Sequence, residues 1–171
     1  MNLNETIINF DIYEDATAFY GTAKVKLPDI QSMTNTISGA GISGEYEAVT
    51  LGHVSAMSMS LDFRTTTSDV IRLYEQRRHT LDIRAAQQSE DSATGKIVVD
   101  KLKYVVVATP KKLSPGSLAP SSPADASGEF SVSYIAEYIN GTKVLEVDPL
   151  NYIYFVNGTD YLAEVRAALG R

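Results

Sequence analysis

The chain has 171 residues, a length that fits one domain and that buries enough surface for a core without disulfide staples. Fifteen Lys and Arg stand against 21 Asp and Glu, so the net charge is −6, which speaks against a protein that grips nucleic-acid phosphates through a basic surface. Cys is absent, which excludes thiol nucleophiles and cysteine metal sites, and the two imidazoles, His53 and His79, lack metal-ligand spacing.

In chain order, most of the sequence alternates with a period of two, the pattern of strands with one buried face. Ile8, Phe10 and Ile12 alternate with Asn9, Asp11 and Tyr13, and Glu14-Asp15 reads as the turn after them. Ala23, Val25 and Leu27 alternate with Lys24 and Lys26. Met57, Met59, Leu61 and Phe63 alternate with Ser58, Ser60, Asp62 and Arg64. Thr67-Ser68-Asp69 then predicts the cap of a short helix with Val70, Ile71, Leu73 and Tyr74 on one stripe. Leu81 and Ile83 return to strand alternation. Ile97–Val99 and Tyr104–Val107 are apolar without alternation, as in strands covered on both faces.

Lys111 to Gly128 is rich in Pro, Ser, Ala and Gly and reads as a long exposed loop inside a single domain spanning 1–171. Phe130, Val132, Tyr134, Ala136 and Tyr138 form the longest alternating stripe. Asn140-Gly141 follows, a strong signal for a two-residue hairpin leading into Lys143–Val147. Asn157-Gly158 ends the apolar run Leu150–Val156. Thr159-Asp160 is placed to cap a terminal helix in which Leu162, Val165 and Leu169 share a face, with Gly170 as its stop.

Motifs with chemical meaning are few. Gly39-Ala40-Gly41-Ile42-Ser43-Gly44 matches G-x-G-x-x-G, but the residues after it, Glu45–Val49, have strand character. A dinucleotide site needs a helix there, so the segment reads as a flexible Gly-rich loop. His53 sits beside Gly52, read as the start of a strand, and His79 follows Arg77-Arg78, read as a helix end where a cation suits the dipole. Neither marks a hydrolase triad, and no G-x-S-x-G elbow occurs. Carboxylates are scattered singly, apart from the turn pairs Glu14-Asp15 and Glu90-Asp91. Three Asn-x-Thr sequons read as turn chemistry. Met1–Asn9 lacks a basic and apolar leader, and no apolar run approaches the ~20 residues of a membrane helix, so synthesis in the cytoplasm is expected. The residues alone predict a β-rich domain with a Gly-rich loop, a Pro/Ser loop and a terminal helix, with no catalytic, cofactor or metal site.

The C-terminal block from Glu146 to Gly170 strongly resembles the major tail tube proteins of contractile-tailed phages. The resemblance rests on Asp148, Asn151, Gly158, Asp160, Leu162, Ala163, Arg166, Leu169 and Gly170. It continues upstream in Ser38-Gly39-Ala40-Gly41 and Gly44-Glu45, in Leu61-Asp62-Phe63-Arg64, and in Ala85-Ala86-Gln87-Gln88 before an acidic turn.

The resemblance implies a mainly β fold with minor α: a β-sandwich or barrel of two antiparallel sheets, a flanking helix and a short C-terminal helix. It implies a structural virion protein and no enzyme, forming stacked hexameric rings around a lumen through which DNA passes without specific binding. The implied partners are other copies, the tail sheath, the tape measure, the baseplate hub and the tail terminator. Ser38, Gly39, Gly41, Gly44 and Glu45 become a candidate inter-ring loop, and Asp148, Asn151, Gly158, Asp160 and Arg166 candidate structural positions. Arg166 lies six residues past Asp160, off its helical face, so it is expected to pair with an acid on another element or subunit. The tube of a headless bacteriocin, a monomeric ligand-binding β-sandwich and a hydrolase with an unrecognised acid pair are the competing readings.

Overall fold

A period-two chain satisfies its backbone only by pairing strands, and here the pairing is antiparallel throughout. The computed structural model describes residues 1–15, 17–18 and 22–171. The strands are β1 (Asn2–Glu14), β2 (Thr17–Ala18), β3 (Thr22–Lys26), β4 (Ser32–Ser38), β5 (Glu45–Val54), β6 (Met57–Phe63), β7 (His79–Asp91), β8 (Lys96–Ser114), β9 (Ser127–Ile139), β10 (Thr142–Asp148), β11 (Ile153–Val156) and β12 (Thr159–Asp160). Helix α1 (Ser68–Arg72) lies between β6 and β7, and α2 (Ala163–Ala168) closes the chain. The fold is mainly β, with two antiparallel sheets and two short helices.

The larger sheet runs β12-β11-β10-β9-β8-β7-β1-β2, and β6 joins it by pairing with both β9 and β3. Strand β9 therefore serves two layers. Its first half pairs with β6, Met57 opposite Val132 and Leu61 opposite Gly128. Its second half pairs with β10, Val147 opposite Ile135. The changeover falls at Ser133, which is skipped in the ladder to β8: Val107 faces Tyr134 while Ala108 faces Val132. Such a bulge bends the strand and lets one sheet fold over on itself. It also resets the side-chain phase, so the stripe Phe130–Val132 hands the core to Ile135 instead of continuing cleanly through Tyr138.

The core lies between the folded halves. Ile12, Met59, Leu61, Phe63, Leu81, Val106 and Phe130 are essentially inaccessible. Helix α1 plugs one end through Val70 and Leu73, held by the Thr67 hydroxyl, which accepts from Val70 N–H at 3.3 Å. The Tyr74 ring packs on Phe130, and its hydroxyl donates to the Ser127 carbonyl at 3.2 Å. Gly128 makes this possible, because a Cβ there would lie 1.6 Å from the tyrosine oxygen.

Several expectations need correction. Ile97 and Val99 are exposed, not covered on both faces. They lie at the start of the 19-residue β8, whose fully buried positions begin only at Val106. Ile71 points to solvent, since the single turn of α1 buries only the Val70–Leu73 side. The Pro/Ser connection is shorter than Lys111–Gly128: β8 continues to Ser114 past a bulge at Pro110, and β9 begins at Ser127. Its far end is tied down, with Phe63 N–H donating to the Ala126 carbonyl and Asp125 N–H to that of Arg64. His53 lies near the end of β5, not at a strand start. Thr159 and Asp160 form β12 and do not cap α2, whose first turn follows Leu162. The side chain of Ala23, expected on the buried face of β3, falls outside the described residues.

Candidate assembly surfaces

The first surface is the β4–β5 hairpin. Ser38 pairs with Glu45 as the last rung, and Gly39, Gly41 and Gly44 form the tip. All three glycines have positive φ, from 92° to 147°, while a Cβ at any of them would meet empty space. The tip therefore needs glycine for backbone conformation and not for a close approach. Among the described residues the hairpin pairs with no other strand. Met33, Ile37, Ile42, Tyr46, Val49 and Leu51 are each more than 40% exposed on it. A two-stranded hairpin is marginal in water by itself, and this one presents apolar side chains there. At its base Gly52, with φ 66°, packs on the buried Leu162 side chain; a Cβ would come within 2.5 Å of it.

The second group builds the C-terminal module that receives Gly52. Asp148 accepts from the Asn151 N–H at 3.2 Å and from its side-chain amide at 2.7 Å, closing the turn from β10 to β11. Asn157 and Gly158, with φ 46° and 88°, make the two-residue turn to β12. Asp160 Oδ1 accepts from Leu162 N–H at 3.1 Å. Arg166 on α2 then reaches back with both amino groups: to Asp160 Oδ2 at 2.5 Å and to the Tyr152 carbonyl at 2.6 Å. Tyr152 itself has a left-handed backbone, φ 53°, and the guanidinium secures that conformation. The Arg166 hydrogen bond holds the Asp160 carboxyl below its ordinary range. These five positions thus form one turn–turn–helix unit, held by charge-assisted hydrogen bonds within a single chain.

A buried polar cluster lies away from both groups. His79 is fully buried as the first residue of β7, with Nδ1 2.7 Å from Glu14 Oε1 and Nε2 3.0 Å from the Glu75 carbonyl oxygen. Arg77 reaches the same Glu14 oxygen at 3.0 Å. His79 is therefore a strand residue inside the fold and does not lie at a helix end, and both its nitrogens are occupied by structural contacts. The signal was present in the phase: Glu14 continues the inward series Phe10, Ile12, and His79 precedes Leu81 and Ile83 in register.

Among the described residues no group of His, Asp and Glu is arranged to hold a metal ion. No helix among the described residues is long and apolar enough to cross a membrane. The model of the phage tail tube protein FII family matches residues 4–170. The chain belongs to that family. It is a structural tail tube family and not an enzymatic one. No curated protein matches the chain by sequence. The chain is similar in structure to the sheath/tube terminator of an extracellular contractile injection system, PVC, in its extended state: TM-score 0.53, 13% identity, covering 78% of this chain and 96% of that one. A chain of the PVC sheath–tube complex also matches, with TM-score 0.48, 15% identity, and 75% and 87% coverage. The first of these shows a shared fold, and the family match makes the protein a structural tail tube component.

Proposed function

We propose that six copies of this chain close into a ring, that rings stack into the inner tube of a contractile phage tail, and that DNA leaves the capsid through its lumen. The observation that carries this reading is the β4–β5 hairpin, which shows apolar side chains to water and has no further strand partner among the described residues, within a family match that spans almost the whole sequence. A ring needs a head-to-tail contact between two different patches, and a projecting hairpin supplies one half of such a contact. Gly39, Gly41 and Gly44 keep the tip loose in the free subunit and let it order on stacking, which limits premature polymerisation. Assembly occurs in the cytoplasm of the bacterial host, and the finished tube lies within the sheath, holds the tape measure, and is bounded by the baseplate hub and the terminator. The chain 1–171 acts as one tube domain.

The charge supports a conduit. Six copies at −6 each carry about −36, a field that keeps DNA from adhering in a narrow channel if the acids face inward. Hydrogen exchange on free subunit and on assembled tube tests the loop: protection of 39–44 rises on assembly under this reading, and equal protection in both states overturns the gating role.

A further inference from the structure

The outer face of the β1–β7–β8–β9 sheet carries a groove whose chemistry mirrors the hairpin. Two cross-strand rows build it: Asp11–Arg84–Lys103–Tyr138 and Asn9–Ala86–Lys101. The small side chain of Ala86 and the turn at Gly141 leave an open groove of about 720 Å³ between these rows. Its charged lining is Arg84, Lys101, Lys103 and Asp11, so cations predominate. Arg84 and Lys103 already share Asp82, at 2.9 and 3.9 Å, and lie over Tyr13 and Tyr138. The Lys101 ammonium has no ion pair among the described residues, while its backbone is fixed on both sides by Asn140.

The hairpin is the counterpart. Between Ser32 and Gly52 it carries two carboxylates, Glu45 and Glu47, and no Lys or Arg. Glu45, Glu47 and Val49 alternate along β5 and so share one face, opposite Ser38, Thr36 and Thr34. Glu47 is held by the Thr34 hydroxyl at 2.6 Å, which fixes its direction. One face thus combines two acids with an exposed valine, and the groove combines cations with an alanine floor.

We infer that the Glu45–Glu47–Val49 face of one copy's hairpin seats in the Lys101–Ala86–Lys103 groove of a second copy. The two patches lie on different parts of one chain, so the contact is head-to-tail, and its geometry can propagate around a ring or between rings. Charge complementarity sets the register, and Val49 against Ala86 adds an apolar contact beside the acids. The inference rests on the tube reading and names the surfaces that reading leaves open.

The absence of Cys makes the test clean. Val49→Cys and Ala86→Cys are prepared as separate proteins, shown by circular dichroism to fold, mixed, and oxidised mildly after assembly. Cross-linked dimers are expected from the mixture and not from either variant by itself. In parallel, Lys101→Glu is expected to raise the concentration needed for assembly about tenfold, and Glu45→Lys with Glu47→Lys in the same chain to restore most of it. If the wild type assembles, the mixture gives no cross-link and Lys101→Glu assembles normally, this docking is wrong and the tube reading stands. If the wild type forms no rings under any condition, both fall together.

Discussion

Arg166→Ala tests whether the C-terminal unit is a fastened structural element. The substitution removes two charge-assisted hydrogen bonds, to Asp160 and to the Tyr152 carbonyl. Each bond of this kind contributes about 1.5–3 kcal/mol when buried, but roughly a quarter of each side chain is exposed here, so water recovers part of the loss. A destabilisation of about 2 kcal/mol follows, and for a domain of this size a lowering of Tm by roughly 4–8 °C. Thermal unfolding of the unassembled protein, followed by circular dichroism, measures it. The pH dependence has a definite sign. Arg166 lowers the folded pKa of Asp160, so its stabilisation is present above the ordinary carboxylate value of 3.8 and is lost as the pH falls through the lower folded value. The gap between wild type and Arg166→Ala therefore narrows in acid, the bond to the Tyr152 carbonyl remaining. Equal Tm values at neutral pH, or a gap that widens in acid, would refute the role given to this pair.

Other positions give independent tests. Gly128→Ala drives a methyl into the Tyr74 hydroxyl and is expected to cost about 2–4 kcal/mol in denaturant unfolding; Tyr74→Phe in the same chain recovers part of it, so the two effects are less than additive. Phe130→Ala opens the centre of the core and is expected to cost about 3–5 kcal/mol by the same measurement. Burial pushes the Tyr74 and Tyr104 hydroxyls up to about 12, so in a spectrophotometric titration both ionise later than a free tyrosine. Because the folded value is the raised one, their contribution is intact below pH 10 and is lost as the pH climbs towards 12. Replacing Gly39, Gly41 and Gly44 together by Val puts β-branched residues at φ values of 92° to 147°, so it is expected to destabilise the hairpin tip locally and to slow assembly, read by light scattering.

Much of the strand pattern was legible because burial on one face imposes alternation. Met57–Phe63 shows it without interruption, and Asn140-Gly141 marked a hairpin that the backbone dihedrals bear out. The failures have physical causes. Alternation reports the phase of a strand but not a bulge, so the shift at Ser133 was invisible although it lets β9 serve two layers. An apolar run reports affinity for burial but not what is available to cover it, so Ile97 and Val99 read as interior. The terminal Asp160 looked like a cap because the residue type fits one; its acceptor is used for Leu162 N–H and Arg166 instead. The turn at the tip of the β4–β5 hairpin was visible as a cluster of glycines. The groove on the β1–β7–β8 face was not, since Asn9, Arg84 and Lys101 come from three strands and meet only through register.

Negative-stain electron microscopy of the purified protein over a range of concentrations tests most directly whether this chain polymerises. Six-fold rings, and tubes of constant diameter as the concentration rises, are the predicted result. A protein that stays monomeric at the highest concentration, with the hairpin still exposed, would contradict it.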